Sequence, residues 1–65
     1  MTVGQDVILK SKGYTNGRQG CIIGIYPLKV YVLWLTDKNG NRLRWRGGVY
    51  SLVKPEKLTI VENDN

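Results

Sequence analysis

Histidine and phenylalanine are missing from this chain altogether, and cysteine occurs once. Without histidine there is no imidazole general base, no Ser-His-Asp triad and no His-bound metal. Cys21 alone cannot form an internal disulfide, a four-cysteine zinc site or a CxxC redox pair. A lone thiol in so small a domain points to a reducing compartment, the cytoplasm. Acids are also scarce: Asp6, Asp37, Glu56, Glu62 and Asp64 are scattered and offer no carboxylate pair for glycosidase or metal chemistry. No apolar run approaches the roughly 18 residues of a membrane span. The opening MTVGQDVILK lacks the basic and long apolar regions expected of a signal peptide. Gly13–Gly20 does not match the G-x-x-x-x-G-K-[ST] phosphate loop. The expectation is therefore a binding protein and not an enzyme, with no cofactor, metal or membrane.

Positive charge is what the chain has in excess. Ten Lys and Arg face five Asp and Glu, a net of +5 over 65 residues. Two of the acids fall in the last four residues, so residues 1–61, with 10 bases and 3 acids, carry +7. Such a field attracts polyanions within a Debye length of roughly 10 Å. The length allows one domain, residues 1–61, followed by a short, flexible acidic tail over 62–65. A chain of this size buries only about 60% of its unfolded surface, so its core is small.

Short β-forming runs alternate with Gly, Asn and Pro. Strands are expected at 6–10, 18–26, 29–36, 41–46 and 58–61, with a bend or short strand at 49–53. Pro55-Glu56-Lys57 reads as one helical turn opened by proline. No segment sustains a 3.6-residue period. The fold class is all-β: a small five-stranded barrel with one short 3₁₀ turn near Pro55–Lys57.

Asn39-Gly40 is a strong hairpin signal. A two-residue turn centred there sets Asp37 opposite Arg42, Thr36 opposite Leu43, Leu35 opposite Arg44, Trp34 opposite Trp45 and Leu33 opposite Arg46. Alternation then puts Val30, Val32, Trp34, Leu43 and Trp45 on one face. Tyr31, Leu33, Leu35, Arg42, Arg44 and Arg46 share the other. Three unpaired arginines are too costly to bury, so theirs is the outer face. Aromatic and apolar groups among arginines suit base stacking with phosphate neutralisation. They equally suit a protein interface, where Tyr and Arg are enriched. A one-residue slip would exchange the two faces.

Residues 7–25, VILKSKGYTNGRQGCIIGI, carry glycines at 13, 17 and 20, suited to a tight loop and a bulged strand start. With Val7, Ile8, Tyr14, Arg18 and Ile22 they resemble the KOW motif: a hydrophobic strand, a glycine loop with an aromatic or basic residue, then G-x-x-G-x-hydrophobic. Asn16 stands where that motif commonly has a basic residue, and Cys21 where it has a polar one. The ending Val53–Val61 resembles the 3₁₀ turn and closing strand of such domains. The resemblance implies a Src-homology-3-like barrel with a nucleic-acid role, and carries Lys12, Tyr14, Asn16 and Arg18 into the loop that meets the ligand. The ALYDY-like segment and Trp pair of proline-rich peptide binders are missing. The expected nucleic-acid-binding set, RNA or DNA, is Lys12, Tyr14, Arg18, Tyr31, Arg42, Arg44 and Arg46. The alternative is an accessory subunit or adaptor that docks Tyr31, Leu33 and Leu35 on an acidic protein surface, with homo-oligomerisation through that face as a sub-case.

Overall fold

The computed structural model describes residues 1–44 and 48–62. It is all-β: β1 (Asp6–Leu9), β2 (Gln19–Ile25), β3 (Val30–Thr36), β4 (Val49–Val53) and β5 (Leu58–Ile60), with one 3₁₀ turn at Pro55–Lys57 before β5. The five strands form one antiparallel sheet in the order β4-β3-β2-β1-β5. The sheet is not closed into the expected barrel, because β4 and β5, its two edges, do not pair with each other. Among the described residues, no helix is long and apolar enough to cross a membrane.

One face of the sheet holds the core: Val7, Leu9, Ile22, Val30, Val32, Trp34, Val53 and Leu58, with Leu43, Val49 and Ile60 packed against it. Val30, Val32 and Trp34 alternate along β3, as strand geometry requires. Two irregularities bend the sheet over this core. Ile23 has no partner between Ile22↔Val32 and Gly24↔Tyr31, and Leu35 has none between Gly20↔Trp34 and Gln19↔Thr36. Each bulge sharpens the local twist. Gly20, buried at the second bulge, allows β2 and β3 to approach. A Cβ there would run into the Leu33 carbonyl oxygen and stand 2.9 Å from the Trp34 Cα. The Trp34 indole N–H donates to Ser51 Oγ at 2.7 Å, tying the largest core side chain to β4.

The local signals at the chain's end hold. Pro55 opens the 3₁₀ turn, and the Lys57 N–H donates to the Lys54 carbonyl at 3.0 Å. The Lys10 N–H then donates to the Lys57 carbonyl at 2.7 Å, delivering the chain to β1.

The 37–46 region differs from the expected hairpin. Thr36 pairs with Arg42, not Leu43, and over 41–44, the described part of the strand expected at 41–46, that single bridge is all that forms. The partner of β3 is β4, with Trp34 opposite Val49 rather than Trp45. Asp37 is the physical reason. Its carboxylate accepts the N–H groups of Asn39 at 2.8 Å and Asn41 at 3.0 Å, while its own N–H donates to the Asn41 carbonyl at 2.9 Å. This closes a three-residue loop with Gly40 at φ +84°. A two-residue type I′ turn needs positive φ at Asn39 as well, and no described non-glycine residue has it. Trp45 and Arg46 lie outside the described residues.

Two substitutions test this account by chemical denaturation. Gly20→Ala is expected to destabilise by about 3 kcal/mol, the upper end of overpacking costs, because what must yield is backbone. That is a large share of the roughly 3–10 kcal/mol expected for a domain of this length. Ser51→Ala leaves the Trp34 indole N–H without its acceptor and is expected to cost about 1–3 kcal/mol.

Candidate nucleic-acid interface

In an antiparallel meander the β1–β2 and β3–β4 connections leave the sheet at the same end. Here they touch: a Cβ on Gly17 would stand 2.6 Å from the Lys38 Cβ. Gly17 has φ +86°, a conformation open to glycine, and its N–H donates to the Leu9 carbonyl at 2.8 Å. The first loop is braced from within. The Ser11 N–H donates to Asn16 Oδ1 at 3.0 Å, the Ser11 and Thr15 hydroxyls lie 2.8 Å apart, and the Asn16 N–H donates to the Gly13 carbonyl at 3.1 Å. Asn16 therefore serves as an internal brace.

This end of the molecule gathers charge. Lys10, Lys12 and Arg18 come from the first loop and its flanks, and Lys38, Arg42 and Arg44 from the second; Asp37 is the one acid in these two segments. Lys12, Arg42 and Arg44 are exposed. Tyr14 projects from the loop 90% exposed, and the Arg18 guanidinium carbon lies 5.6 Å from its ring centroid. That is a cation–π distance. The arrangement leaves an exposed aromatic ring in a basic setting, where it can stack on an unpaired base.

Asp37 stays ionised and offsets one of the six positive charges of these two segments. The Asn41 N–H, with that of Asn39, holds its pKa below the usual carboxylate value.

The expected strand-face site is divided by the structure. Arg42 lies across from Thr36, not beside Tyr31, Leu33 and Leu35. Tyr31 is five residues further back along β3, about 16 Å at the usual strand rise. The slip of one residue at Asp37 separated Arg42 from the apolar row. Arg44 is exposed but in no strand, and Arg46 lies outside the described residues. Tyr14 and Arg18 are brought together in the first loop, which also carries the exposed Lys12. Lys38 completes their end of the sheet and was not among the expected site residues; its position beside the Asn39-Gly40 turn and the meander topology are the signals that point to it.

Tyr31 belongs instead to an apolar surface. On the outer face of β3 and β4 it sits opposite Leu52, and Leu33 sits opposite Tyr50. The Tyr31 and Tyr50 rings pack with centroids 5.7 Å apart at 32°. Next to them an open groove of about 740 Å³ is lined by Tyr26, Pro27, Leu28, Lys29, Tyr31 and Leu52. Leu35 is exposed at its bulge, and Cys21, opposite Leu33, is half-buried. Among the described residues no cluster of three His, Cys, Asp or Glu could hold a metal.

Comparison with family models, curated proteins and solved structures finds no match to this chain.

The Asp37 turn generates a pH prediction. A carboxylate whose folded pKa is depressed stabilises the fold above its unfolded value, near 3.8, and loses that contribution as pH falls through its folded value. The melting temperature of Asp37→Asn should lie below that of the parent at about pH 6, and the gap should narrow steadily below about pH 4. A gap of constant size down to about pH 2.5 would show that the charge of Asp37 does not support the turn.

Proposed function

We propose that this domain is a non-enzymatic binding module for nucleic acid, acting through the sheet end where the 10–18 and 37–44 loops meet. The observation that carries the reading is Tyr14, 90% exposed with Arg18 over its ring, among six of the chain's ten bases. Arg18, Lys12, Lys38, Arg42 and Arg44 neutralise phosphates, and Tyr14 stacks on an unpaired base. Tyr31 is left out of this set because it stands on the apolar outer face. The KOW-like, Src-homology-3-like resemblance supports the same reading. The strand order β4-β3-β2-β1-β5, the 3₁₀ turn before β5 and the braced glycine loop agree with it. Discrimination among sequences is weak, since loop cations and one ring do not read base edges. The cytoplasm remains the proposed compartment because Cys21 is a lone thiol.

Binding to labelled single- and double-stranded RNA and DNA across a salt series tests the reading. Three to five phosphate contacts give a log–log salt slope of about −2 to −5. Single strands should bind more tightly than duplexes. Tyr14→Ala should weaken single-strand binding by about tenfold or more, within the about 1–3 kcal/mol of one stacked base. Arg42→Glu with Arg44→Glu should weaken both forms and flatten the slope. Failure to bind any of the four nucleic acids at about 50 mM salt, where phosphate contacts are strongest, overturns the proposal.

A further inference from the structure

The outer edge of β4 is unlike an edge strand built to stay single. Protected edges are short, charged, bulged or interrupted by proline. β5 is three residues long and follows Lys57. β4 is five residues, Val49-Tyr50-Ser51-Leu52-Val53, without charge, proline or glycine, and it pairs with β3 in unbroken register. Among the described residues, no backbone hydrogen bond reaches β4 from any element other than β3. Its outward side chains, Tyr50 and Leu52, are 46% and 54% exposed and continue the apolar surface of Tyr31 and Leu33.

The order of residues in β4 says what fits this edge. The strand is nearly symmetric about Ser51, with valine at each end and a large apolar residue on each side of the serine. We propose that β4 is a self-association edge, on which a second copy of this chain adds its own β4 antiparallel about a twofold axis through Ser51. An interface of this kind uses the same patch twice. In that register Tyr50 of each copy lies across from Leu52 of the other on the outer face, and Val49 across from Val53 on the core face. Lys54, the nearest described cation beyond the strand, meets Gly48 of the other copy and not a like charge. The added strand also sets a Tyr50 ring beside the groove that Leu52 helps to line, so an exposed aromatic is covered where an apolar cleft stands open. The two basic loop ends remain free, and each dimer presents two of them. A single five-residue edge makes a small interface, and association is accordingly weak.

The test is the molar mass of the full chain, free of nucleic acid, measured by sedimentation equilibrium from about 10 μM to about 1 mM in about 0.3 M salt, where a Debye length near 6 Å damps charge repulsion. The expected result is a rise from the monomer mass of 7.4 kDa toward twice that value. Leu52→Lys should raise the dissociation constant by about tenfold or more with an unchanged thermal melt, since Leu52 is largely outside the core. Leu35→Lys, on the exposed bulge of β3, should leave it unchanged. In a Cys21→Ser background, a mixture of Tyr50→Cys and Leu52→Cys chains should oxidise to the mixed disulfide in preference to either homodimer. A monomer over the whole range, self-association indifferent to Leu52→Lys, loss of association in Leu35→Lys, or equal yields of the three disulfides would each overturn the proposal. None of these measurements depends on nucleic-acid binding, so the two readings fail separately.

Discussion

The rest of the structure depends on how closely the backbones of β2 and β3 meet at Gly20. Any side chain there would strike the Leu33 carbonyl, so only a bare Cα lets the strands pair across the bulge. With that approach made, Leu35 is set aside as an unpaired residue and β3 turns over the core. Trp34 then reaches the interior beside Val7, Ile22 and Val32, and its indole N–H meets Ser51 on the far strand. One missing methyl group thus governs the curvature, the placement of the largest core side chain and the attachment of β4. A domain of this length buries too little apolar surface to compensate easily for a fault at such a point.

Once the sheet is bent, its surface divides by chemistry. Turn residues at the loop end meet water on several sides, so cations collect there at little desolvation cost. Asp37 is the one acid against six bases in the two loop segments, so the local charge stays positive. The outer face of β3 and β4 has the opposite character, with tyrosine and leucine in register and the Tyr31 and Tyr50 rings against each other. A solvated outer face ordinarily alternates to polar side chains; here that face is apolar next to an unguarded edge. The two surfaces thus differ in kind, one cationic and built on loops, the other apolar and built on paired strands.

Local chemistry was the readable part of this chain. Pro55-Glu56-Lys57 forms the turn expected of it, and four of the strands fall within a residue of their expected limits because alternation and glycine punctuation mark them. The Lys12, Tyr14 and Arg18 loop assembles because its braces, Ser11, Thr15 and Asn16, lie within it. The hairpin misled. Asn39-Gly40 does mark a turn, but Asp37, two residues earlier, captures the N–H groups of Asn39 and Asn41 and adds one residue to the loop. Because strand faces alternate with period two, that residue moved Arg42 off the face of Tyr31. Val49–Val53 read as a bend or short strand, since its pairing with Val30–Trp34 spans a long loop that local pattern does not reveal.

The sequence by itself determined the all-β class, the positions of most strands, the closing 3₁₀ turn and the positive charge, since each follows from residue type and near-neighbour spacing. Only the tertiary structure decided which strand pairs with β3, where the arginines lie relative to the tyrosines and which edge is left open. Those outcomes rest on backbone hydrogen bonds and on the close approach at Gly20 between segments distant along the chain, and their register is settled by which pairing buries Val30, Val32 and Trp34 together.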